Sequence, residues 1–202
     1  MSGKRHKIYI SKTKRVFVAI RIDDDFRNYL NNIQLKIINH KDNNLKIKMV
    51  ERNNLHISIK FFGDLNQLEI EKIEHALQEI SSGLKPFRIT LLKEIGAFPD
   101  FRKPRVLWIG LKNGETELIE IYNHIKSRLS QETFYPSEKK YTAHITLGRI
   151  KYIKYTSNLI QSLSDISFGD ISQKVNSIEL IESTLNSDGP VYNTINKFLF
   201  LK

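Results

Sequence analysis

The chain has no cysteine. A disulfide framework and a thiolate metal site are therefore excluded. Tryptophan occurs once, and proline and glycine number only five and nine in 202 residues, which excludes collagen-like and low-complexity chains. No apolar run approaches the roughly 18 residues that a membrane span needs. The N-terminus is basic, but no apolar stretch follows it as in a secretory signal. These absences lead us to expect a cytoplasmic protein with no membrane partner. There is also no Gly/Ser/Pro-rich linker, so residues 15–202 read as a single bilobal domain rather than two independent ones.

What the chain does have is positive charge. Lys and Arg total 32 against 22 Asp and Glu, a net charge of +10. Such a surplus favours a polyanionic partner such as nucleic acid, although many basic proteins have none. The first fifteen residues, MSGKRHKIYISKTKR, hold six Lys/Arg and no acid. Residues 1–14 read as a flexible basic arm.

Secondary structure follows from periodicity. RVFVAIRI (15–22) alternates as a strand. Three aspartates then open a helix carrying Phe26, Leu30, Ile33 and Ile37 on one face. A second helix runs from Asn66 to Gly83 through Ile70, Ile73, Leu77 and Ile80, and a third through Leu118, Ile121, Ile125 and Leu129. TSNLIQSLSDI is a short fourth helix. Strands fill the intervals, among them NLHISIKFFGDL, FRITLLKEIGAF, RVLWIGL and YTAHITLGRI. Strand and helix recur in similar order in both halves, which suggests a duplicated α+β unit of about 90 residues.

Two of these strands carry chemistry. In a strand, residues i and i+2 share a face. His56 projects with Ser58, and His144 with Thr146, while Leu55, Ile57, Ile59 and Phe61 on one strand and Ala143, Ile145 and Leu147 on the other point to a core. If the two faces oppose each other, one groove holds two imidazoles and two hydroxyls. Imidazoles can divide the work of general acid and base near neutral pH. Hydroxyls and the nearby Arg149 can bind phosphate oxygens. The set suits in-line attack on a phosphodiester and needs no metal or other cofactor. Two solvent-facing histidines on strand edges would produce the same motifs. A metal site would want a carboxylate beside the histidines, and none is adjacent. His6, His40, His75 and His124 read as structural. On strict alternation Arg149 has the wrong parity for the histidine face; a bulge or a strand end at Gly148 would turn it inward, and otherwise it is a solvent-facing residue at a strand terminus.

At these residues the chain resembles the two-histidine (2H) phosphoesterases, in particular the RNA 2',3'-cyclic phosphodiesterases, also called 2'-5' RNA ligases. NLHISIKFFGDL is similar to their N-L-H-x-[S/T]-x-K-F-x-G signature, IGAFPDFRKPRVLWIGL to G-x-F-P…R-V-x-W, AHITLGR to H-x-T-L-x-R and DGPVYNTINKF to a closing G-P-x-Y segment. The likeness runs from about Arg15 to Leu201. It implies an α+β fold of two pseudo-symmetric lobes, each an antiparallel sheet with helices on its outer face, around a central cleft. It also implies opening of a terminal 2',3'-cyclic phosphate on RNA, tRNA fragments among the candidates, to a 2'-phosphate by a monomeric enzyme. Some members also join or cleave 2'-5' linkages, reversibly and in the same site. Carried across, His56 would be the acid, His144 the base, and Ser58, Thr146 and Arg149 the phosphate contacts. Related enzymes on this scaffold act on 2'-5' oligoadenylate, cyclic nucleotide-sugar phosphates or RNA 3' ends, and a non-catalytic RNA-end-binding module is a further alternative. Serine stands at 58 where the family more often has threonine, and the basic leader has no family counterpart. Arg102, Lys103 and Arg105 could line an RNA path. Trp108 reads as core, and Tyr141 as either a base platform or packing.

Overall fold

The first strand, β1 (Lys14–Arg21), sets the layout. In the computed structural model, which describes residues 13–40, 45–136, 140–167, 169–187 and 189–201, the run Val16 to Ile20 is buried throughout, no residue being more than 1% exposed. Such a strand has both faces covered. Val16, Val18 and Ile20 join the main core. Phe17 and Ala19 pack on the other face with Ile181 and Tyr192. The expected basic arm lies almost wholly outside the described residues.

The remaining strands are β2 (Leu45–Met49), β3 (His56–Leu65), β4 (Phe87–Phe98), β5 (Val106–Asn113), β6 (His144–Ile153), β7 (Ser172–Val175), β8 (Ser177–Leu185) and β9 (Pro190–Leu199). They form one curled sheet in the order β7-β4-β5-β6-β3-β1-β8-β9, with β2 added to β6. All pairings are antiparallel. The two wings meet at β3 and β6, which share a single register pair, Ile57↔Ile145.

The helices are α1 (Asp24–His40), α2 (Gln67–Ser82), α3 (Glu115–Leu129) and α4 (Thr156–Ser164). Helix α1 packs on β6 and α4, whereas α2 packs on α3, β8 and β9. Their starts are chemical. The Asp23 carboxylate accepts from Phe26 N–H at 2.8 Å, and Asn66 and Glu69 form a reciprocal capping box. The apolar stripes read from the sequence are buried: Phe26, Leu30, Ile33 and Ile37 in α1, Ile70, Ile73 and Leu77 in α2.

The α+β architecture of two antiparallel wings around a cleft is therefore present. The wings are not the two sequential halves, however. The first half sends β2 and β4 into the second wing, and the second half sends β8 and β9 into the first. Burial explains the placing of β8: Ile178, Leu180 and Ile181 are wholly buried. That strand is apolar on both faces, and it lies between β1 and β9 rather than at an edge.

Candidate active site

His56 and His144 open β3 and β6, the two strands at which the wings meet. Their rings are held alike. Nδ1 of His56 lies 2.7 Å from the carbonyl oxygen of Asn54, and Nδ1 of His144 lies 2.7 Å from that of Thr142. A carbonyl can only accept, so each Nδ1 carries the hydrogen. Each neutral imidazole then keeps its lone pair on Nε2. Nε2 of His56 accepts from the Ser58 hydroxyl at 2.8 Å. Both histidines, Ser58, Thr146 and Arg149 line one cleft of about 350 Å3.

Strand bulges complete the site. On β6, Thr146 pairs with Trp108 but Gly148 pairs with Leu107, so Leu147 is the extra residue. The bulge reverses parity, and Arg149, opposite Val106, returns to the histidine face. Gly148 then points inward: a Cβ there would lie 2.8 Å from Ile47 Cδ1 and from Met49 Sδ. β3 does the same. Ser58 pairs with Ala19 and Lys60 with Val18, which leaves Ile59 as the extra residue. Phe61 consequently stands opposite Phe17 on the cleft face, 55% exposed, and not in the core as strict alternation requires. Lys60 turns inward instead and lies over the Tyr135 ring at 3.9 Å.

A buried side chain fastens the β6 bulge. Gln34 of α1 is 3% exposed, and its Nε2 donates to Leu147 O at 2.7 Å and Val50 O at 2.8 Å. Val50 N–H donates to the same Leu147 carbonyl. Sequence reasoning missed Gln34. The only sequence signal is a polar residue directly after Ile33, on the apolar side of α1.

Aromatic rings wall both imidazoles. Phe17 and Tyr192 lie 5.1 and 5.3 Å from the His56 ring. Phe98 and Trp108 lie 4.9 and 6.0 Å from that of His144. Trp108 is thus half-buried on the cleft side of its strand, next to His144, and not a core residue. Glycine makes room for it, since a Cβ on Gly96 would come within 2.4 Å of the indole.

These walls set the proton affinities. Burial pushes His56 down to about 4, with the nearby Arg21 and His144 charges acting in the same direction and the Asn54 carbonyl opposing them. Burial lowers His144 as well, helped by Arg149 and opposed by the Thr142 carbonyl. Cations line only one side: Lys48 from β2, Arg149 and Lys151 from β6. Facing them are Phe61, Pro190 and Tyr192, with Asn54 and Glu51 at the rim. Among the described residues no three His, Asp or Glu side chains group as metal ligands.

The profile described as the AKAP7 2'5' RNA ligase-like domain matches residues 16–200. The chain is 37% identical to the RNA 2',3'-cyclic phosphodiesterase of Aquifex aeolicus, over 78% of this chain and 85% of that protein. To the enzyme of that name from Methanocaldococcus jannaschii it is 35% identical, over 91% and 99%. The chain belongs to the RNA 2',3'-cyclic phosphodiesterase (2'-5' RNA ligase) family of 2H phosphoesterases. The crystal structure of Escherichia coli LigT complexed with 3'-AMP has the same fold, with a TM-score of 0.74 at 19% identity, covering 95% of this chain and all of that one. TT0787 of Thermus thermophilus scores 0.73 at 22% identity, covering 93% and 98%.

Other family-like segments are placed differently from the five cleft residues. Arg102 is exposed and paired with Asp100 in its own loop at 2.8 Å. Neither it nor Lys103 nor Arg105 lines the cleft. Tyr141 is no base platform: its ring stacks on Tyr122 at 4.7 Å, and its hydroxyl donates to Ser58 O. Tyr192 and Pro190 of the closing segment do line the cleft, and the G-P-x-Y likeness was the signal for them. No helix among the described residues is long and apolar enough to cross a membrane.

Proposed function

We propose that this cleft hydrolyses the terminal 2',3'-cyclic phosphate of RNA to a 2'-phosphomonoester, with His56 and His144 dividing the two proton transfers. The observation that carries this reading is the repeated lock. Two Nδ1–carbonyl bonds leave two Nε2 atoms as the proton-carrying positions of one cleft, beside two hydroxyls and an arginine. Water attacks phosphorus, and one Nε2 takes its proton. The bond from phosphorus to O3' breaks, and the other imidazolium protonates the departing oxygen. Ser58, Thr146 and Arg149 bind the non-bridging oxygens. The family likeness assigns His56 as acid and His144 as base. With a ribose 5'-hydroxyl in place of water, the same transfers in the same direction join a 2'-5' linkage; run backwards, they cleave one and reclose the cyclic phosphate.

The free cleft is short of a proton, because both imidazoles titrate below their usual range. A bound phosphodiester supplies a negative charge that raises both. Binding of substrate therefore creates the protonated acid. All four motif side chains come from one chain, which supports a monomer as the working unit; light scattering on the purified protein tests this. A cytoplasmic location rests on sequence composition alone and is tested by fractionation.

The experiment is incubation with a short RNA ending in a 2',3'-cyclic phosphate, in EDTA, with the product identified. A 2'-phosphate is expected. A 3'-phosphate would place the bond cleavage on the other side of phosphorus. Absence of turnover, with tight RNA binding that survives loss of both histidines, would favour an end-binding module.

A further inference from the structure

We infer that the two-stranded ribbon of β2 and the end of β6 is a binding track for the RNA body leading to the cyclic end. This rests on the reading of the cleft as an RNA-end site and adds to it the surface that makes a polynucleotide a better ligand than a mononucleotide. β6 pairs with β5 only as far as Arg149↔Val106. Past Ile150, whose N–H still donates to Arg105 O, it pairs with β2 alone, out to Leu45↔Ile153. One face of this ribbon, Leu45 with Ile47, Ile150 and Ile153, packs into the core. The other face continues the cationic wall of the cleft outward.

That outer face alternates cations with rings. Lys46 stands opposite Tyr152, which is 54% exposed, and Lys48 opposite Arg149. Lys154 follows, its Nζ lying 5.1 Å from the centroid of Tyr155, which is 50% exposed. Elsewhere on the surface, guanidinium groups are answered by carboxylates: Arg15 by Asp64, Arg52 by Asp24 and Arg102 by Asp100. On the ribbon, Lys154 lies against a tyrosine ring and Lys46 stands in register with another. Lysines that track a phosphate backbone, interleaved with exposed rings on which bases stack, are the chemistry of a single-stranded nucleic-acid path. From Arg149 to Ile153 the strand advances roughly 13 Å at about 3.3 Å per residue. The opposite wall, with Phe61, Pro190 and Tyr192, offers no such row of charge.

The test compares Lys46→Gln/Lys154→Gln and Tyr152→Ala with the parent protein. The probes are a fluorescent RNA hexanucleotide ending in a 2'-phosphate and the matching mononucleotide 2'-phosphate as competitor. The double lysine variant is expected to weaken hexanucleotide binding about fivefold or more. It should also flatten the salt dependence by about 0.7 per lost charge, with mononucleotide affinity within twofold of the parent. Tyr152→Ala should weaken the hexanucleotide alone, without changing the salt slope. Unchanged hexanucleotide affinity, or equal losses for both probes, would overturn the track and leave the lysines as protection of an exposed sheet edge. Turnover of a mononucleoside 2',3'-cyclic phosphate, measured separately, reports on the cleft reading whatever the ribbon does.

Discussion

The two half-sites share one frame and differ in what they hang on it. In each, a histidine is locked through Nδ1, a hydroxyl follows at the second position, one bulged residue comes next, and the fifth residue after the histidine returns to the cleft. That fifth residue is Phe61 in one half and Arg149 in the other. His56 accordingly sits in an aromatic enclosure, bonded to Ser58 and strongly depressed in proton affinity. His144 sits beside a cationic wall, and burial and Arg149 lower its proton affinity too. The histidine lock is duplicated, whereas the lining cations come from β2 and β6 only. A duplicated frame with unequal contents lets two identical groups take opposite protonation states in one reaction.

The largest expected effect removes the frame's working atoms. His56→Ala and His144→Ala should each lower kcat by roughly 10²–10⁴ on a cyclic-phosphate RNA. The double variant should fall little further than the worse single one, because the two act as a unit. If either single variant kept the parent rate, the halves would not be partners.

Next in size is the fifth position. Arg149→Ala should raise KM about 10–100-fold, the worth of a charged hydrogen bond. Gly148→Ala should raise it in the same direction without touching the guanidinium, because the new methyl collides with Ile47 and Met49 and disturbs the bulge. Phe61→Ala should change KM less. Equal effects at 61 and 149 would erase the asymmetry claimed for the cleft.

A smaller effect is a displacement in pH. kcat/KM reports the free enzyme, in which burial lowers both imidazoles, His56 to about 4. Its bell should therefore lie on the acid side of the ordinary histidine range. kcat reports the complex, where the bound anion raises both groups, so its bell should lie at higher pH. Coincident bells would mean that substrate charge does not set the proton balance.

The smallest effect is on stability. Gln34→Leu removes the donor shared by two buried carbonyls and should cost about 1–3 kcal/mol in urea unfolding. KM should rise as well, because the bulge that aims Arg149 loses its fastening. A stability loss with unchanged KM would separate the bulge from the site.

Much of this was legible in the sequence because it depends on local rules. Period-two alternation placed His56 with Ser58 and His144 with Thr146, and helical periodicity found the buried stripes of α1 and α2. The missed features depend on pairing partners distant in sequence. A bulge is defined by the neighbouring strand, so Ile59 and Leu147 look like ordinary inward residues until Val18 and Leu107 are set against their strands. Phe61 was misplaced for that reason, while Gly148 at least hinted at the bulge that turns Arg149. Trp108 looked like core because its strand is apolar; its cleft position follows from pairing with Thr146. The exchange of β2, β4, β8 and β9 between wings is equally invisible to any local pattern.

The central claim, one imidazole giving a proton while its counterpart takes one, is tested most directly with a leaving group that needs no proton. A cyclic substrate with sulfur in place of the bridging O3' departs as a thiolate. The account predicts that this substrate restores much of the rate to the variant lacking the acid, His56→Ala on the family assignment, and leaves His144→Ala slow. Rescue of both variants, or of neither, would contradict the division of labour between the two half-sites.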